Sequence, residues 1–532
     1  MIRVGNIRVS LDADFTDLKT IAASKLKIPK DRLKSVRLSK KSVDARKKSD
    51  VHFIISLDIE AKGEERLLKT LKNAVPVKNE SYRINAVPAD CERPVIVGFG
   101  PAGMFAALVL AMSGARPIVL ERGGDVDSRC KAVAEFRKNG VLDTECNIQF
   151  GEGGAGTFSD GKLNTGISDR RIGWILEKFA EFGAPDEIRY LAKPHIGTDK
   201  LRNAVKKLRE RVKSLGGEVR FNSKFCGYTE ENGHITQVMY TDCDGNHTID
   251  SHNVILAAGH SARDVFEMLY EKNIELSQKN FAVGVRIEHL RTDIDKAMYG
   301  SFAGHHALKA ADYKLAVHLP NGRTLYTFCM CPGGEVVAAS SENGRLAVNG
   351  MSCFARDAEN SNSALLVNVN TDDYGSSHVL AGMYFQREIE EKAFIAGGSD
   401  YSAPVNTAGA LLEGRTAESF GKVRPSYTPN TRFADINEYL PDFVCESIRL
   451  GLVEMGKKIN GFDSPDAVVT GVESRSSSPV RINRGEDLQS LSLGGLYPCG
   501  EGAGYAGGIV SAAADGMKCA EKIIENLSGG RL

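Results

Sequence analysis

The sequence predicts an α/β protein built from several domains. Three observations support this: the length of the chain, an apolar run that enters a glycine-rich turn followed by a helix, and strand-like segments on both sides of it. A chain of 532 residues is too long for one hydrophobic core and favours about three domains. The patterns place the boundaries at residues 1–88, 89–280, 281–465 and 466–532, with the second and fourth segments forming one domain.

Residues 1–88 show the order strand, helix, strand, strand, helix, strand. The strands are expected at residues 2–11, 33–39, 51–59 and 82–84, and the helices at residues 17–26 and 64–74. This order predicts a ferredoxin-like α+β domain. Because Cys91 is the nearest cysteine, we expect no iron–sulfur cluster in it.

A basic stretch, residues 27–48, lies within this domain. It contains the closely spaced cations Lys40, Lys41, Arg46, Lys47 and Lys48. The simplest interpretation is a solvated hairpin face. A bound RNA or phosphorylated substrate is the alternative, although the stretch lacks the interleaved aromatic side chains typical of RNA-binding surfaces.

The segment after residue 93 predicts a nucleotide-binding turn. An apolar run at residues 94–97 leads into Gly98, Gly100-Pro101-Ala102 and Gly103, and an apolar helix follows at residues 104–112. A second apolar run at residues 117–120 ends at Glu121-Arg122. In such motifs the glycines permit the turn, the approach of a pyrophosphate and close helix–strand packing, and the acidic residue binds a ribose. The helix N-terminus adds unpaired N–H groups for the phosphates.

Two later segments complete the expected site. Residues 494–518 read as a strand ending at Cys499, a glycine loop with Gly500, Glu501, Gly507 and Gly508, and a helix from Ile509. Residues 253–260 read as a strand followed by Ala258 and Gly259. Together they resemble the flavin motifs of the glutathione-reductase-like FAD superfamily, which usually has Asp where this chain has Glu501. The resemblance implies noncovalent FAD and a Rossmann-like FAD-binding domain.

A fourth segment, residues 149–163, is rich in glycine and small polar side chains. Its candidate FAD-contacting residues are Gly154, Thr157, Ser159, Asp160, Gly161, Lys162 and Leu163. A flexible surface loop is the alternative interpretation. With the motif Gly-Thr-Phe-Ser-Asp-Gly-Lys-Leu at residues 156–163, the chain resembles a bacterial family of FAD-dependent dehydrogenases that has no assigned substrate.

Residues 281–465 are expected to form a mixed α+β substrate domain inserted into the FAD domain. The pattern predicts strands at residues 281–289, 313–318, 324–330 and 336–340, and helices at residues 383–394 and 443–458. An inserted sheet of this kind would cover the flavin ring, with the substrate lying between them.

Three residues are candidates for chemistry. His260 follows Gly259 and is a candidate acid or base at neutral pH, with a structural histidine as the alternative. Arg475, in a segment of hydroxyls that ends at Arg481, is a candidate clamp for an anionic substrate, against a capped turn with paired arginines. Cys329, in Cys329-Met-Cys331, is a candidate redox thiol; because the short spacing strains a ring disulfide, buried small side chains are the favoured interpretation.

The composition excludes several functional classes and cell compartments. Lys plus Arg equals Asp plus Glu at 68 each, so no overall charge favours nucleic acid or an anionic membrane. Eleven cysteines without metal or disulfide spacing, no signal region and no long apolar run predict a cytoplasmic protein with no membrane partner and no metal. The sequence shows one glycine-turn module and no second one for a stably bound NAD(P)H. NAD(P)H is therefore considered only as a transient electron donor.

The sequence therefore predicts an FAD-dependent oxidoreductase that transfers hydride between a small-molecule substrate and the flavin. An FAD-dependent RNA-modifying enzyme and a non-catalytic flavin-binding redox module are the two alternatives.

Overall fold

The computed structural model describes residues 1–77 and 82–529. Residues 78–81 and 530–532, which belong to the predicted first and last segments, lie outside this description. A four-stranded, a five-stranded and a seven-stranded sheet are the largest sheets of the described chain, and helices pack between them. The predicted mixed α/β class is confirmed.

The first part of the chain forms a four-stranded sheet with two helices. Its elements are β1 (Ile2–Val9), α1 (Leu18–Leu26), β2 (Leu33–Asp44), β3 (His52–Ala61), α2 (Glu64–Thr70) and β4 (Ala74–Pro76). The strand order is β2-β3-β1-β4, and β1 pairs antiparallel with β3 and β4. Ile2, Val4, Ile7 and Val9 of β1 are buried, because side chains alternate across the strand on each side of an irregularity between Val4 and Ile7.

The predicted strand at residues 82–84 is wrong. The fourth strand is β4, which pairs with β1 in the register Ile2↔Pro76, and α2 ends at Thr70 to make room for it. Tyr82 belongs instead to the contact with the next unit. Its ring centroid lies 5.0 Å from that of Trp174, and its hydroxyl donates to Glu521 at 2.6 Å.

The second part begins the unit that contains the five-stranded sheet. Its elements are β5 (Val95–Val97), α3 (Pro101–Ser113), β6 (Ile118–Leu120), α4 (Val126–Asn139), α5 (Arg171–Glu181), α6 (Thr198–Ser214), β7 (Glu218–Arg220), β8 (Lys224–Glu231), β9 (His234–Asp242), β10 (Gly245–Asp250), β11 (Val254–Leu256) and α7 (Arg263–Glu271). Strands β8, β9 and β10 form a separate antiparallel sheet.

The middle part is built on the seven-stranded sheet. Its elements are β12 (Leu276–Gln278), β13 (Phe281–Leu290), α8 (Arg291–Tyr299), β14 (Ala316–His318), β15 (Thr324–Cys331), β16 (Glu335–Ala338), β17 (Val348–Met351), β18 (Asn360–Val369), α9 (Ala381–Ala396), β19 (Ala403–Thr407), α10 (Ala408–Leu412), β20 (Thr431–Phe433), α11 (Asp442–Gly456), β21 (Val468–Glu473) and β22 (Val480–Ile482). The strand order is β14-β15-β18-β13-β21-β19-β20. Strand β21 pairs with β13, so this sheet extends past residue 465, where the sequence placed the end of the inserted domain.

The last two elements return to the unit of the five-stranded sheet. They are β23 (Leu496–Pro498) and α12 (Ile509–Gly529). The five-stranded sheet has the order β23-β11-β5-β6-β7, and every neighbouring pair is parallel. Parallel sheets are covered on both faces, so the strands β11, β5 and β6 are apolar throughout, whereas the edge strand β7 reads Glu-Val-Arg. Within the described ranges, no helix combines the length and hydropathy needed to cross a lipid bilayer.

Candidate functional site

One cavity of about 380 Å³ opens at the carboxyl ends of the parallel strands β5, β6, β11 and β23. Its volume falls in the range of about 300–1,000 Å³ that is usual for ligand sites. The chain leaves β5 towards β6 on one side and later adds β11 on the other side. This reversal of strand order is where open α/β sheets bind ligands.

The glycine turn after β5 forms one wall of the cavity. Gly98 has φ +94°, and a Cβ there would lie 2.5 Å from the carbonyl oxygen of Ala257. A Cβ at Gly103 would lie nearer than 3.0 Å to the carbonyl oxygen of Gly98. Glycine is therefore required twice, once for the left-handed backbone and once for close packing of α3 on the turn. These are the roles that the sequence predicted for the two residues.

Two helix N-termini face the cavity. Helix α3 begins at Pro101 with Gly100 as a cap that offers no side-chain acceptor, and helix α12 begins at Ile509 after Gly508. The helices cross closely, because a Cβ at Gly516 would lie nearer than 3.0 Å to the carbonyl oxygen of Ala102. Each N-terminus carries a partial positive charge and unpaired N–H groups, so the cavity favours an anionic ligand.

The open backbone of the cavity fits the cofactor that the sequence predicts. A Cβ at Gly259 or Gly507 would meet no atom within 4 Å, and both residues line the cavity. His260 Nε2 is buried and has no hydrogen-bond partner among the described residues. An unpaired buried nitrogen beside bare backbone is the environment of a bound polar ligand such as FAD.

The glycine-rich loop reaches the same cavity because a buried arginine holds it in place. The guanidinium of Arg129 donates to the carbonyl oxygens of Asn147 (2.8 Å), Ile148 (2.7 Å), Gly151 (3.3 Å) and Glu152 (2.7 Å). Burial lowers the pKa of Arg129 to about 10, which leaves it charged at neutral pH. The sequence analysis missed Arg129, since nothing near it in the chain indicates that it binds the loop.

The acidic residue after β6 is fully engaged with backbone. Glu121 Oε1 accepts from the N–H groups of Gly123 (3.0 Å) and Gly151 (2.9 Å), and Oε2 accepts from Phe99 N–H (2.8 Å). It thereby ties the glycine turn to the glycine-rich loop. Glu121 also lines the cavity, and its contact with a ribose stays a prediction.

The structure brings most predicted site residues to the cavity wall. These are Gly98, Gly100, Pro101, Ala102, Glu121, Arg122, Gly154, Ser159, Asp160, Gly161, Lys162, Ala258, Gly259, His260, Cys329, Arg475, Gly500, Glu501, Gly507, Gly508 and Ile509. Gly103, Thr157 and Leu163 do not line it. Thr157 is buried and donates to the carbonyl oxygen of Glu152 at 3.3 Å, and Leu163 packs in the same hydrophobic core as residues of α3. Neither side chain lines the cavity, although the sequence predicted that both would contact the cofactor.

Asp160 and Lys162 form part of an internal ion cluster. Arg356 donates to Asp160 through Nε at 3.0 Å and Nη2 at 2.5 Å, and Lys162 Nζ lies 3.3 Å from Asp160 Oδ2. Burial alone would raise the pKa of Asp160, but Lys162 and Arg356 lower it to about 2. Lys162 Nζ also donates to the carbonyl oxygen of Met330, which joins the loop to the middle sheet.

Arg475 is held by a buried carboxylate. It donates through Nη1 to Ser261 (3.2 Å) and Ser341 (2.5 Å), and through Nε and Nη2 to Glu390 (3.0 and 2.9 Å). Arg481, the other arginine of the predicted clamp, is exposed and lies over the Tyr505 ring. The structure therefore separates the two arginines and supports a paired, structural Arg475.

Three titratable groups share the cavity wall. Burial, together with Arg475 and Arg263, lowers the pKa of His260 to about 3, so the imidazole is neutral at pH 7. The role of His260 as an acid or base stays a prediction. Burial raises the pKa of Glu501 to about 7 and that of Glu473 to about 7, the latter against the nearby Arg286. Sequence reasoning missed Glu473, an acidic end to the buried strand β21.

The two cysteines of β15 occupy different places. Cys331 is fully buried, whereas Cys329 is partly exposed and lines the cavity. The interpretation as buried small side chains therefore holds for Cys331 alone.

The basic stretch of the first sheet is partly used inside the protein. Lys41 Nζ lies 3.9 Å and 4.1 Å from the ring centroids of Phe15 and Phe53, and Lys41 N–H donates to the carbonyl oxygen of Tyr190 at 2.7 Å. Arg46 pairs with Asp44 at 2.6 Å. Binding of an anion by the remaining lysines stays a prediction.

Comparison with known proteins shows which family this chain resembles. Residues 280–476 match the family described as FAD-dependent protein, C-terminal domain-like, and residues 1–60 match a domain of unknown function (DUF8436). An uncharacterized protein of Clostridium beijerinckii is 47% identical over 529 residues, which cover 98% of each chain.

Among solved structures, the flavin-dependent brominase Bmp2 is 11% identical, with a TM-score of 0.39 over 82% of this chain and 80% of that chain. CtdE in complex with FAD is 12% identical, with a TM-score of 0.31 over 84% and 83%. Resemblances this weak carry neither a ligand nor an activity over to this chain.

Proposed function

The chain belongs to one family with the Clostridium beijerinckii protein, and on this premise we propose that it is an FAD-dependent oxidoreductase. Residues 280–476, which match the C-terminal domain of FAD-dependent proteins, support the proposal. The observation that carries the proposal is the convergence of two helix N-termini and two bare glycine turns on one cavity. A site of this kind suits a ligand with both a pyrophosphate and a flat ring system.

Different walls would hold different parts of the cofactor. Gly98, Gly100 and the N-terminus of α3 would hold the pyrophosphate, with Glu121 on the ribose. Gly507, Gly508 and the N-terminus of α12 would face the flavin, where a positive helix end favours the anionic reduced form.

Bound FAD supplies the chemistry of accepting or donating hydride at N5, and the protein places the substrate. We propose a small substrate that enters beside Phe328 and Glu473, which line the cavity from the middle sheet. Glu473 has a pKa raised to about 7 by burial, so it can take up or release a proton near neutral pH. His260 is neutral and accepts or donates a hydrogen bond without changing charge.

The first test is the flavin content of the purified protein. We expect yellow protein with noncovalent FAD, released on denaturation. Protein without flavin that also takes up none on reconstitution would contradict the proposal.

The second test asks which molecule reduces the flavin. NADH and NADPH are mixed in turn with the protein under anaerobic stopped-flow conditions. Bleaching of the flavin band on a catalytic timescale supports NAD(P)H as a transient donor. If dithionite reduces the flavin but neither NADH nor NADPH does, the electron donor is the substrate or a protein partner.

A further inference from the structure

The end of β15 brings two thiols together at the cavity wall. The pairing of β15 with β18 is interrupted between Phe328 and Cys331, and Cys329 has φ +41°. In a regular strand, residues two apart have Cα atoms about 6.6 Å apart, close to the upper limit of about 6.8 Å for a disulfide. A left-handed residue in a bulge contracts the chain, so the strain expected from the short Cys-x-Cys spacing is reduced here.

The Cys331 side chain turns back towards Cys329. Cys331 Sγ donates to the carbonyl oxygen of Cys329 at 3.3 Å. Cys329 lines the cavity while Cys331 is fully buried behind it. This is the arrangement of an accessible thiol backed by a second thiol that can resolve it.

Two cations hold the backbone between these thiols. Arg286 Nη2 donates to the carbonyl oxygen of Cys329 at 2.6 Å and lies 3.9 Å from Cys331 Sγ. Lys162 Nζ donates to the carbonyl oxygen of Met330. The hydrogen bond from Cys331, together with Lys162 and Arg286, holds the pKa of Cys329 well below its usual range, while that of Cys331 is raised. Cys329 is thus the thiolate and Cys331 carries the proton.

We propose that Cys329 and Cys331 form a redox-active thiol pair that exchanges two electrons with the flavin, an inference that rests on the proposed function. When the pair is oxidised, an Sγ–Sγ bond forms and the two electrons reduce the flavin. The one proton of the pair, carried by Cys331, goes to the flavin, which becomes the anionic reduced form. The reverse reaction reoxidises the flavin, breaks the sulfur–sulfur bond and restores the Cys329 thiolate and the Cys331 thiol. The site then stores a second pair of electrons beside the cofactor.

Mass spectrometry tests the bond directly. Tryptic cleavage after Arg323 and Arg345 releases the peptide Thr324–Arg345, whose cysteines are Cys329 and Cys331 alone. The purified flavoprotein is equilibrated in glutathione buffers of graded potential, alkylated and digested. We expect this peptide to become lighter by two hydrogen atoms in oxidising buffers, and to stay unalkylated. Cys329→Ser should abolish the change, whereas Cys226→Ser, at an exposed position on β8, should leave it intact.

Electron counting tests the link to the flavin. After oxidation and removal of the oxidant, wild-type protein titrated anaerobically with dithionite should take up twice as many electrons per flavin as Cys329→Ser. Equal uptake by both proteins, or a peptide that keeps two free thiols in every buffer, overturns the inference.

These outcomes separate the two proposals. A colourless protein contradicts the proposed function, while the peptide measurement still decides whether the pair forms a bond. Cys329→Ser is the main variant because Cys329 faces the cavity, and circular dichroism checks its fold. Cys331→Ala, at a buried position, serves as the second variant.

Discussion

Glu390 fixes Arg475 in the wall of the cavity through both oxygens of its carboxylate. Arg475 Nε lies 3.0 Å from Oε1 and Nη2 lies 2.9 Å from Oε2, and Arg263 donates to the same two oxygens at 2.8 Å. Burial alone would raise the pKa of Glu390, but Arg263 and Arg475 hold it well below its usual range. Two buried cations therefore share one buried anion, and Glu342 supplies Arg263 with the second carboxylate.

Replacing that anion should be costly. In Glu390→Gln, two buried guanidinium groups lose their shared counter-charge, and we expect the free energy of unfolding to fall by about 3–5 kcal/mol. Urea denaturation measures it. Glu388→Gln is the matched control on the same helix, because Glu388 is exposed and pairs with Lys392. A loss below about 1 kcal/mol would mean that the cluster is solvated.

The close crossing of α3 and α12 predicts that Gly516→Ala lowers the free energy of unfolding, the opposite of the usual effect of this substitution in a helix. An alanine in a helix interior normally stabilises by about 1 kcal/mol relative to glycine. At Gly516 the new Cβ would lie nearer than 3.0 Å to the carbonyl oxygen of Ala102, so Gly516→Ala should instead destabilise by about 1–3 kcal/mol. Thermal and urea unfolding would show it. Stabilisation by this variant would contradict the close packing of the two helices at the cavity.

The local parts of this site could be predicted from the sequence, and the long-range parts could not. The turn at Gly98 and the close packing at Gly103 could be predicted because a turn and a helix start depend on neighbouring residues. Glu390 was missed because it lies 85 residues from its partner Arg475. Thr157 was misplaced for a similar reason, since the direction of each side chain in the glycine-rich loop depends on the anchoring of that loop by Arg129.

The glycine turn itself predicts loss of cofactor. A Cβ at Gly100 would already lie 3.7 Å from Gly154 Cα, and the γ-carbons of valine would extend into the narrow space at the start of α3. We expect Gly100→Val to remain soluble and folded but to retain no FAD. The absorbance ratio of the flavin band to the protein band measures occupancy.

The matched control for that experiment is Gly173→Val. Gly173 is exposed on α5, and a Cβ there would meet no atom within 4 Å. This variant should keep its FAD. Normal flavin occupancy in Gly100→Val would sink the assignment of this turn to the cofactor.

The neutral state of His260 predicts a pH dependence of stability. Its pKa is lowered from 6.5 to about 3 in the folded protein, chiefly by burial, so between these values the unfolded chain binds the additional proton. The stability from this group is therefore complete above pH 6.5 and is lost as pH falls towards 3, by up to about 1.4 kcal/mol per pH unit. We expect His260→Gln to flatten the profile of unfolding free energy between pH 6.5 and pH 4.5 relative to wild type. His318→Gln is the matched control, because His318 is exposed and does not line the cavity. Parallel profiles for wild type and His260→Gln would show that folding does not lower the pKa of His260.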